Sequence, residues 1–238
     1  MAGHSKWANI KHRKERADKK KGKIFSRIMK EIISAVKQGG PDPKANSKLR
    51  VAIQKAKDAN LPTDNVERNI KKAASSDTAD YTEMTYELYG FGGVGLVVDI
   101  MTDNKNRISS EIRIAINKCG GTIATPGAVA YNFDRKGIIR IAKSSIAEAD
   151  LFLLASDKGA EDFASEDESY IVTTPVEAFY KVKEAIEQAG AKWEEAELPM
   201  VPKTWIEPTD EQADSNIALI EWLENIEDVD AVYHNMKV

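Results

Sequence analysis

Nine of the first 23 residues are cations: Lys6, Lys11, Arg13, Lys14, Arg16, Lys19, Lys20, Lys21 and Lys23. They are opposed only by Glu15 and Asp18 and interleaved with His4, Trp7 and His12. Side chains of this type at this density neutralise phosphates and release the counterions condensed around a nucleic acid. Five such contacts would give a log–log salt slope of about −3.5 on a single strand and about −4.5 on a duplex. Trp7 adds a flat face on which an unpaired base can stack, worth roughly 1–3 kcal/mol. Positive charge continues through Arg27, Lys30, Lys48, Arg50, Lys55, Lys57, Lys71 and Lys72, where helical repetition can gather it on one side of a bundle. The plainer reading is a solvated surface, with Trp7 serving only to pin the arm to the bundle. The expected nucleic-acid-binding set is His4, Lys6, Trp7, Lys11, His12, Arg13, Lys14, Arg16, Lys19, Lys20, Lys21, Lys23, Arg27, Lys48, Arg50 and Lys55.

Over residues 1–75 there are 20 Lys and Arg against seven Asp and Glu, and over 76–238 there are 14 against 31. The net charge of −4 therefore conceals +13 followed by −17. A folded segment this basic is expected to face a polyanion, and the remainder is not.

Other chemistries find little support. Gly90-Phe91-Gly92-Gly93-Val94-Gly95 fits the glycine spacing of a dinucleotide site, but that mechanism needs a helix to start at the glycines. The strand-like Leu96-Val97-Val98-Asp99-Ile100 follows instead, so a hairpin turn is expected. His4, His12 and His234 have no partners at metal-ligand spacing, and Cys119 is the only cysteine. No G-x-S-x-G elbow is present. The expectation is a non-enzymatic protein without metal or cofactor. The acidic run from Glu161 to Glu168 reads as a wet hairpin rim that avoids phosphate. Apolar stretches such as Leu151 to Ala155 are too short to span a bilayer, and no apolar segment follows the basic N-terminus. A cytoplasmic location is expected.

The elements that would position these residues can be read from periodicity. Ile24, Phe25, Ile28, Met29, Ile32, Ala35 and Val36 mark one face of a helix over about 14–38, stopped by Gly39, Gly40 and Pro41. Two more helices are expected over 44–60 and 63–74, then a polar linker over 75–80. Strands follow at 81–89 and 94–101, a helix capped by Asp103 or Asn104 and ending at Gly120, and a strand at 128–133. From Gly137 the order is strand 138–141, helix 146–157, strands 160–164 and 170–173, helix 175–189 and strand 192–198, the split βαβ pattern. A proline-rich, non-helical connector spans 198–208. A helix over 210–225, burying Ile217, Ile220, Trp222 and Leu223, and a strand over 229–233 complete the chain. Such a lone pair must dock on a sheet already present. The expectation is an α+β multidomain protein: an N-terminal three-helix domain, then two ferredoxin-like α+β domains, one inserted in the other. The expected boundaries are 1–75, 81–133 plus 205–238, and 137–200 for the insertion.

The opening Met1-Ala2-Gly3-His4-Ser5-Lys6-Trp7-Ala8-Asn9-Ile10-Lys11-His12-Arg13-Lys14 resembles the start of the YebC/PmpR family. The blocks Lys48 to Ile53, Ala59 to Pro62, Tyr86 to Gly90 and Val232 to Asn235 are similar too. The resemblance covers essentially the whole chain. It implies a helical domain followed by two α+β domains and, because the match begins at Met1, a bacterial member. Family description implies a DNA-binding transcriptional regulator. Mitochondrial relatives are described as translational activators, and some bacterial members as ribosome-associated factors that assist synthesis through proline-rich stretches. The expected partner is nucleic acid, DNA or ribosomal RNA, with the ribosome as an alternative host and no membrane. The acidic α+β domains would orient the protein or meet an unspecified protein partner. A small-molecule-sensing α+β module is the remaining reading, by fold analogy alone.

Overall fold

Three helices occupy the N-terminal part of the structure, a computed structural model that describes residues 17–75 and 79–237, with side chains from Gly22 onward. Helix α1 (Ala17–Gly39) buries Ile28, Ile32, Ala35 and Val36, which recur at spacings of three and four. Gly40, at φ 82°, ends it in the left-handed region. Helix α2 (Ser47–Asp58) starts at Asn46, whose side chain accepts from the Leu49 amide at 3.0 Å. The amide of Asn46 also donates to the carbonyls of Ala35 (2.7 Å) and Gly40 (2.9 Å), so one buried residue caps α2 and fixes the end of α1. Helix α3 (Thr63–Ala74) follows Pro62, and Leu49, Ala52, Ala56, Val66 and Ala73 close the three-helix core.

These helices belong to one compact unit with residues up to Ala128 and from Ile206 onward; residues 129–205 form the other. In the first unit, β1 (Thr82–Tyr89) and β2 (Gly95–Thr102) form a hairpin with Glu87 opposite Val97. The turn between them, Phe91–Gly93, has Gly92 and Gly93 at φ 67° and 80° and opens no helix, as the strand-like continuation led us to expect. Helix α4 (Lys105–Cys119), capped by Asn104, and strand β3 (Thr122–Ile123) come next. After the excursion through the second unit, helix α7 (Asp210–Asn225) and strand β10 (Val229–His234) complete an antiparallel sheet in the order β10-β2-β1-β3. Leu88, Leu96, Val98 and Ile100 on one face pack against Ile108, Ile112 and Ala115 of α4 and Leu219 and Leu223 of α7.

Helix α7 has the expected bounds and a Thr209–Gln212 capping box, but only part of the expected inner face: Leu223 is buried and Ile220 packs against the core. Ile217 and Trp222 are 39% and 42% exposed, while Asn216 and Leu219 are fully buried. Asn216 accepts from the Phe91 amide at 2.8 Å and donates to the Phe91 carbonyl at 3.1 Å. Satisfying the backbone of the glycine turn sets the rotation of the helix, which apolarity alone misplaces.

The second unit contains β4 (Phe133–Arg135), β5 (Gly137–Ala142), α5 (Glu148–Asp157), β6 (Asp162–Ser165), β7 (Ser169–Thr174), α6 (Val176–Gln188), β8 (Trp193–Glu197) and β9 (Met200–Pro202). Its four-stranded sheet runs β6-β7-β5-β8, the split βαβ order, over a core of Ile139, Ile141, Leu151, Val172, Val182 and Ile186. Two expectations need correction. Residues 130–132 form a 3-10 turn, not a strand, and Phe133–Arg135 pairs with Met200–Pro202 inside the segment read as a plain connector. A two-stranded ribbon has only outer edges, so Pro202 can lie in it without removing a needed donor. The acidic run lies along the β6–β7 hairpin, with Glu161 paired to Lys136 at 2.6 Å and Glu166 to Arg140 at 3.3 Å.

Candidate nucleic-acid interface

Eight of the expected binding residues, His4, Lys6, Trp7, Lys11, His12, Arg13, Lys14 and Arg16, lie outside the described residues. Lys19, Lys20 and Lys21 belong to α1, but their side chains are likewise outside the description. The other five separate into two groups with different surroundings.

Lys23 and Arg27 are engaged within the chain. Lys23 Nζ donates to the carbonyls of Glu224, Ile226 (2.9 Å) and Val229 (3.2 Å), around the carboxyl end of α7, where unpaired carbonyls concentrate negative potential. Arg27 meets Glu31 at 3.1 Å and Asp230 at 3.7 Å. Lys30, one turn further, donates to the Met101 carbonyl and Asp228 Oδ1, both at 3.1 Å, and lies 5.6 Å from the centre of the Tyr81 ring. Ser34 reaches the Tyr81 carbonyl at 3.5 Å, and Lys37 meets Asp80 at 2.8 Å.

Positions 23, 27, 30, 34 and 37 advance by three or four residues and so form one stripe along α1. Ile28, Ile32, Ala35 and Val36 occupy the opposite side, against α2 and α3. Helix α1 therefore has an apolar face for the bundle and a cationic face for the acidic sheet. Asp99 stands opposite Ala231, and both alternate with the core residues Val98 and Val232, which places Asp99 on the sheet face that α1 meets.

The electrostatics grade along this seam. Asp228 is 3% exposed and also accepts from Thr102 Oγ1 (2.8 Å) and Arg107 Nη2 (2.5 Å). Burial works against its charge, but the hydrogen bonds from Arg107, Thr102 and Lys30 outweigh it and hold the carboxyl below its ordinary range. For Asp230 burial wins: its carboxyl is pushed up to about 6, with Glu31 and Asp99 adding to the rise and Arg27 and Lys30 opposing it. Burial also lowers the Lys23 ammonium, against Glu224 and Asp230. Burial disfavours the Arg27 charge as well, yet Asp230 and Glu31 raise it overall.

The second group lies on α2. Lys48 donates to Gln38 Oε1 and Lys55 meets Glu31 Oε2, both at 2.7 Å, so this flank of α2 follows α1. Arg50 is exposed and curls onto the carbonyls of Pro43 (3.0 Å) and Lys44 (3.3 Å). Lys57, seven residues on, shares the Arg50 stripe. On α3, Arg68, Lys71 and Lys72 are exposed, as is Lys44 before α2. The described charge is thus not collected on one side of the bundle: on α1, Lys23, Arg27, Lys30 and Lys37 turn inward, whereas Arg50 and Lys57 of α2 and Arg68, Lys71 and Lys72 of α3 are exposed.

Sequence reading missed Asp228, Asp230 and Arg107, and it left Lys44 and Arg68 out of the basic set. The 23, 27, 30, 37 spacing, opposite an apolar stripe, was the signal available for the docking seam. Among the described residues, no group of His, Cys, Asp and Glu is arranged to hold a metal ion, and no helix is long and apolar enough to cross a membrane.

The description "TACO1/YebC protein N-terminal domain" matches residues 5–76, and "TACO1/YebC second and third domain" matches residues 81–236. A Protochlamydia amoebophila protein bearing the name "Probable transcriptional regulatory protein" is 66% identical over 238 residues, 100% of this chain and 97% of that one. A Chlamydia muridarum protein of the same description is 58% identical, covering 99% of this chain and 100% of its own. The crystal structure of a conserved hypothetical protein from Aquifex aeolicus superposes with a TM-score of 0.81 at 40% identity, over 98% of this chain and 97% of that chain.

Proposed function

Because the chain belongs to the TACO1/YebC family, whose relatives carry the name of transcriptional regulators, we propose that it is a non-enzymatic, DNA-binding regulator of gene expression. The observation that carries this reading is the solvent-facing display of Arg50, Lys57, Arg68, Lys71 and Lys72 on two adjacent helices of a domain whose sequence before Lys23 holds eight more cations. Phosphate contacts from these groups supply affinity and register, but not sequence reading. Lys23 and Arg27 hold the seam in the closed state and contribute little to this surface while it lasts.

Fluorescence anisotropy of the full chain on labelled duplexes tests the proposal. A promoter duplex from the native genome is expected to bind about 10³-fold tighter than a random duplex at roughly 150 mM salt. A ratio near one would reduce the interaction to polyelectrolyte attraction and sink the DNA-regulator reading. Preference for ribosomal RNA over every duplex would transfer the reading to a ribosome-associated translation factor.

A further inference from the structure

The cationic stripe of α1 is built from the same side chains that grip phosphate, and its intramolecular partners are carboxylates and the carbonyls at a helix end. We propose that Lys23 and Arg27 are exchangeable: a phosphate polyanion draws them off the α7–β10 end of the seam, while Lys30 and Asp228 remain as the fixed point. The chain thereby holds part of its own phosphate grip in a self-inhibited state. This rests on the nucleic-acid reading above for the natural ligand, but its geometry stands apart from it.

Three observations support a fixed point and a releasable end. First, burial is uneven among the cations: the Lys30 side chain, like its partner Asp228, is nearly buried at 10% and 4% exposed, whereas Arg27 is 34% exposed above an Asp230 that is 9% exposed. Second, the contacts with carboxylates follow burial, Lys23 being held by carbonyls instead. Asp228 is met by Lys30, Thr102 and Arg107 at hydrogen-bond distances, while the Arg27–Asp230 contact is 3.7 Å and Arg27 divides its charge with Glu31. Third, the releasable end is open to solvent through a pocket lined by Gly22, Lys23, Ser26, Glu227, Val229 and Asp230, which gives a phosphate a route to Lys23. The charged forms of Lys23 and Asp230 are both disfavoured by burial, while Asp230 and Glu31 favour that of Arg27.

The test uses the full chain, with inorganic polyphosphate and a random 20-base-pair duplex as separate probes. Amide hydrogen exchange is followed at Ile226 and Val229, whose amides close the turns after α7 onto Leu223 and Ile226. Saturating probe is expected to speed exchange there by at least about fivefold; unchanged or slower exchange with both probes overturns the proposal. Glu227→Lys puts a cation beside Lys23 and is expected to tighten polyphosphate binding several-fold more than Glu211→Lys, which makes the same charge change at the far end of α7. Equal effects would mean bulk charge alone and also overturn it. Opening by polyphosphate without duplex binding would support the exchange and remove the DNA reading. A chain that binds neither probe overturns both.

Discussion

Replacing Asp228 with Ala removes the acceptor shared by Lys30, Thr102 and Arg107 and leaves a nearly buried ammonium with the Met101 carbonyl as its hydrogen-bond acceptor, beside the Tyr81 ring. Breaking one side of a buried ion pair typically costs 3–5 kcal/mol, most of it the desolvation of the charge left behind. Arg107 is about half exposed and regains water when released, and Lys30 keeps one acceptor, so the expected loss is near the lower figure, about 3 kcal/mol. With a urea m-value of about 2 kcal/mol/M, the midpoint followed by far-ultraviolet circular dichroism should fall by about 1.5 M. Lys30→Met is expected to cost less, because Asp228 retains Arg107 and Thr102. The double variant should cost less than the two singles together, since neither charge is then stranded, with a coupling of about 1–3 kcal/mol. A loss below about 1 kcal/mol for Asp228→Ala, or strict additivity in the double variant, would refute the view of Asp228 as the fixed point of the seam.

Asp230 predicts a pH dependence of definite sign. Its folded value, near 6, is above the ordinary 3.8, so its contribution to stability is greatest below the ordinary value and is lost as pH rises through 6. The groups facing it are Arg27, Lys30 and Glu31 of α1 and Asp99 of β2, and burial outweighs the two cations. Asp230→Asn should therefore raise the urea midpoint at pH 7.5 and flatten the decline between pH 5 and 7.5; a lower midpoint at pH 7.5 would contradict this. Asn216→Leu strands the Phe91 amide and leaves the Phe91 carbonyl only the Val94 amide at 3.4 Å, and should cost about 1–3 kcal/mol in thermal unfolding, with a change below 0.5 counting against the inferred role of the turn. Lys71→Ala with Lys72→Ala should leave the unfolding midpoint in place but make the duplex salt slope shallower by up to about 1.8; an unaltered slope would remove α3 from the interface.

Much of the fold was legible because its long elements carry their own signals. Helix α1 has a clean apolar stripe and a glycine stop, α4 has Asn104, and α7 has Thr209 and Gln212 in capping-box register. The β4–β9 ribbon escaped because three-residue strands have no period to detect and exist only by pairing across 65 or more residues. Ile217 and Trp222 were misplaced on the inner face of α7 because Asn216 serves a turn 125 residues earlier, which local hydropathy does not register. The same physics limited the site. Lys23 and Arg27 look like solvated cations until the Glu224 carbonyl and Asp230, some 200 residues away, are brought to them. A charge surplus counted along the chain does not distinguish cations that face water from cations neutralised by a distant part of the same molecule.

The two-sided character of α1 has a practical consequence for dissection. Cutting the chain in the linker after α3 would leave the apolar core of the bundle intact and so yield a well-behaved fragment. That fragment would also be unmasked: Lys23 and Lys30 would lose their acceptors and Arg27 would keep only Glu31, leaving a cationic ridge that runs on to Lys37. It would overstate the appetite of the intact protein for nucleic acid and report a steeper ionic-strength dependence. Good folding of the fragment would therefore be no guide to the fidelity of its binding.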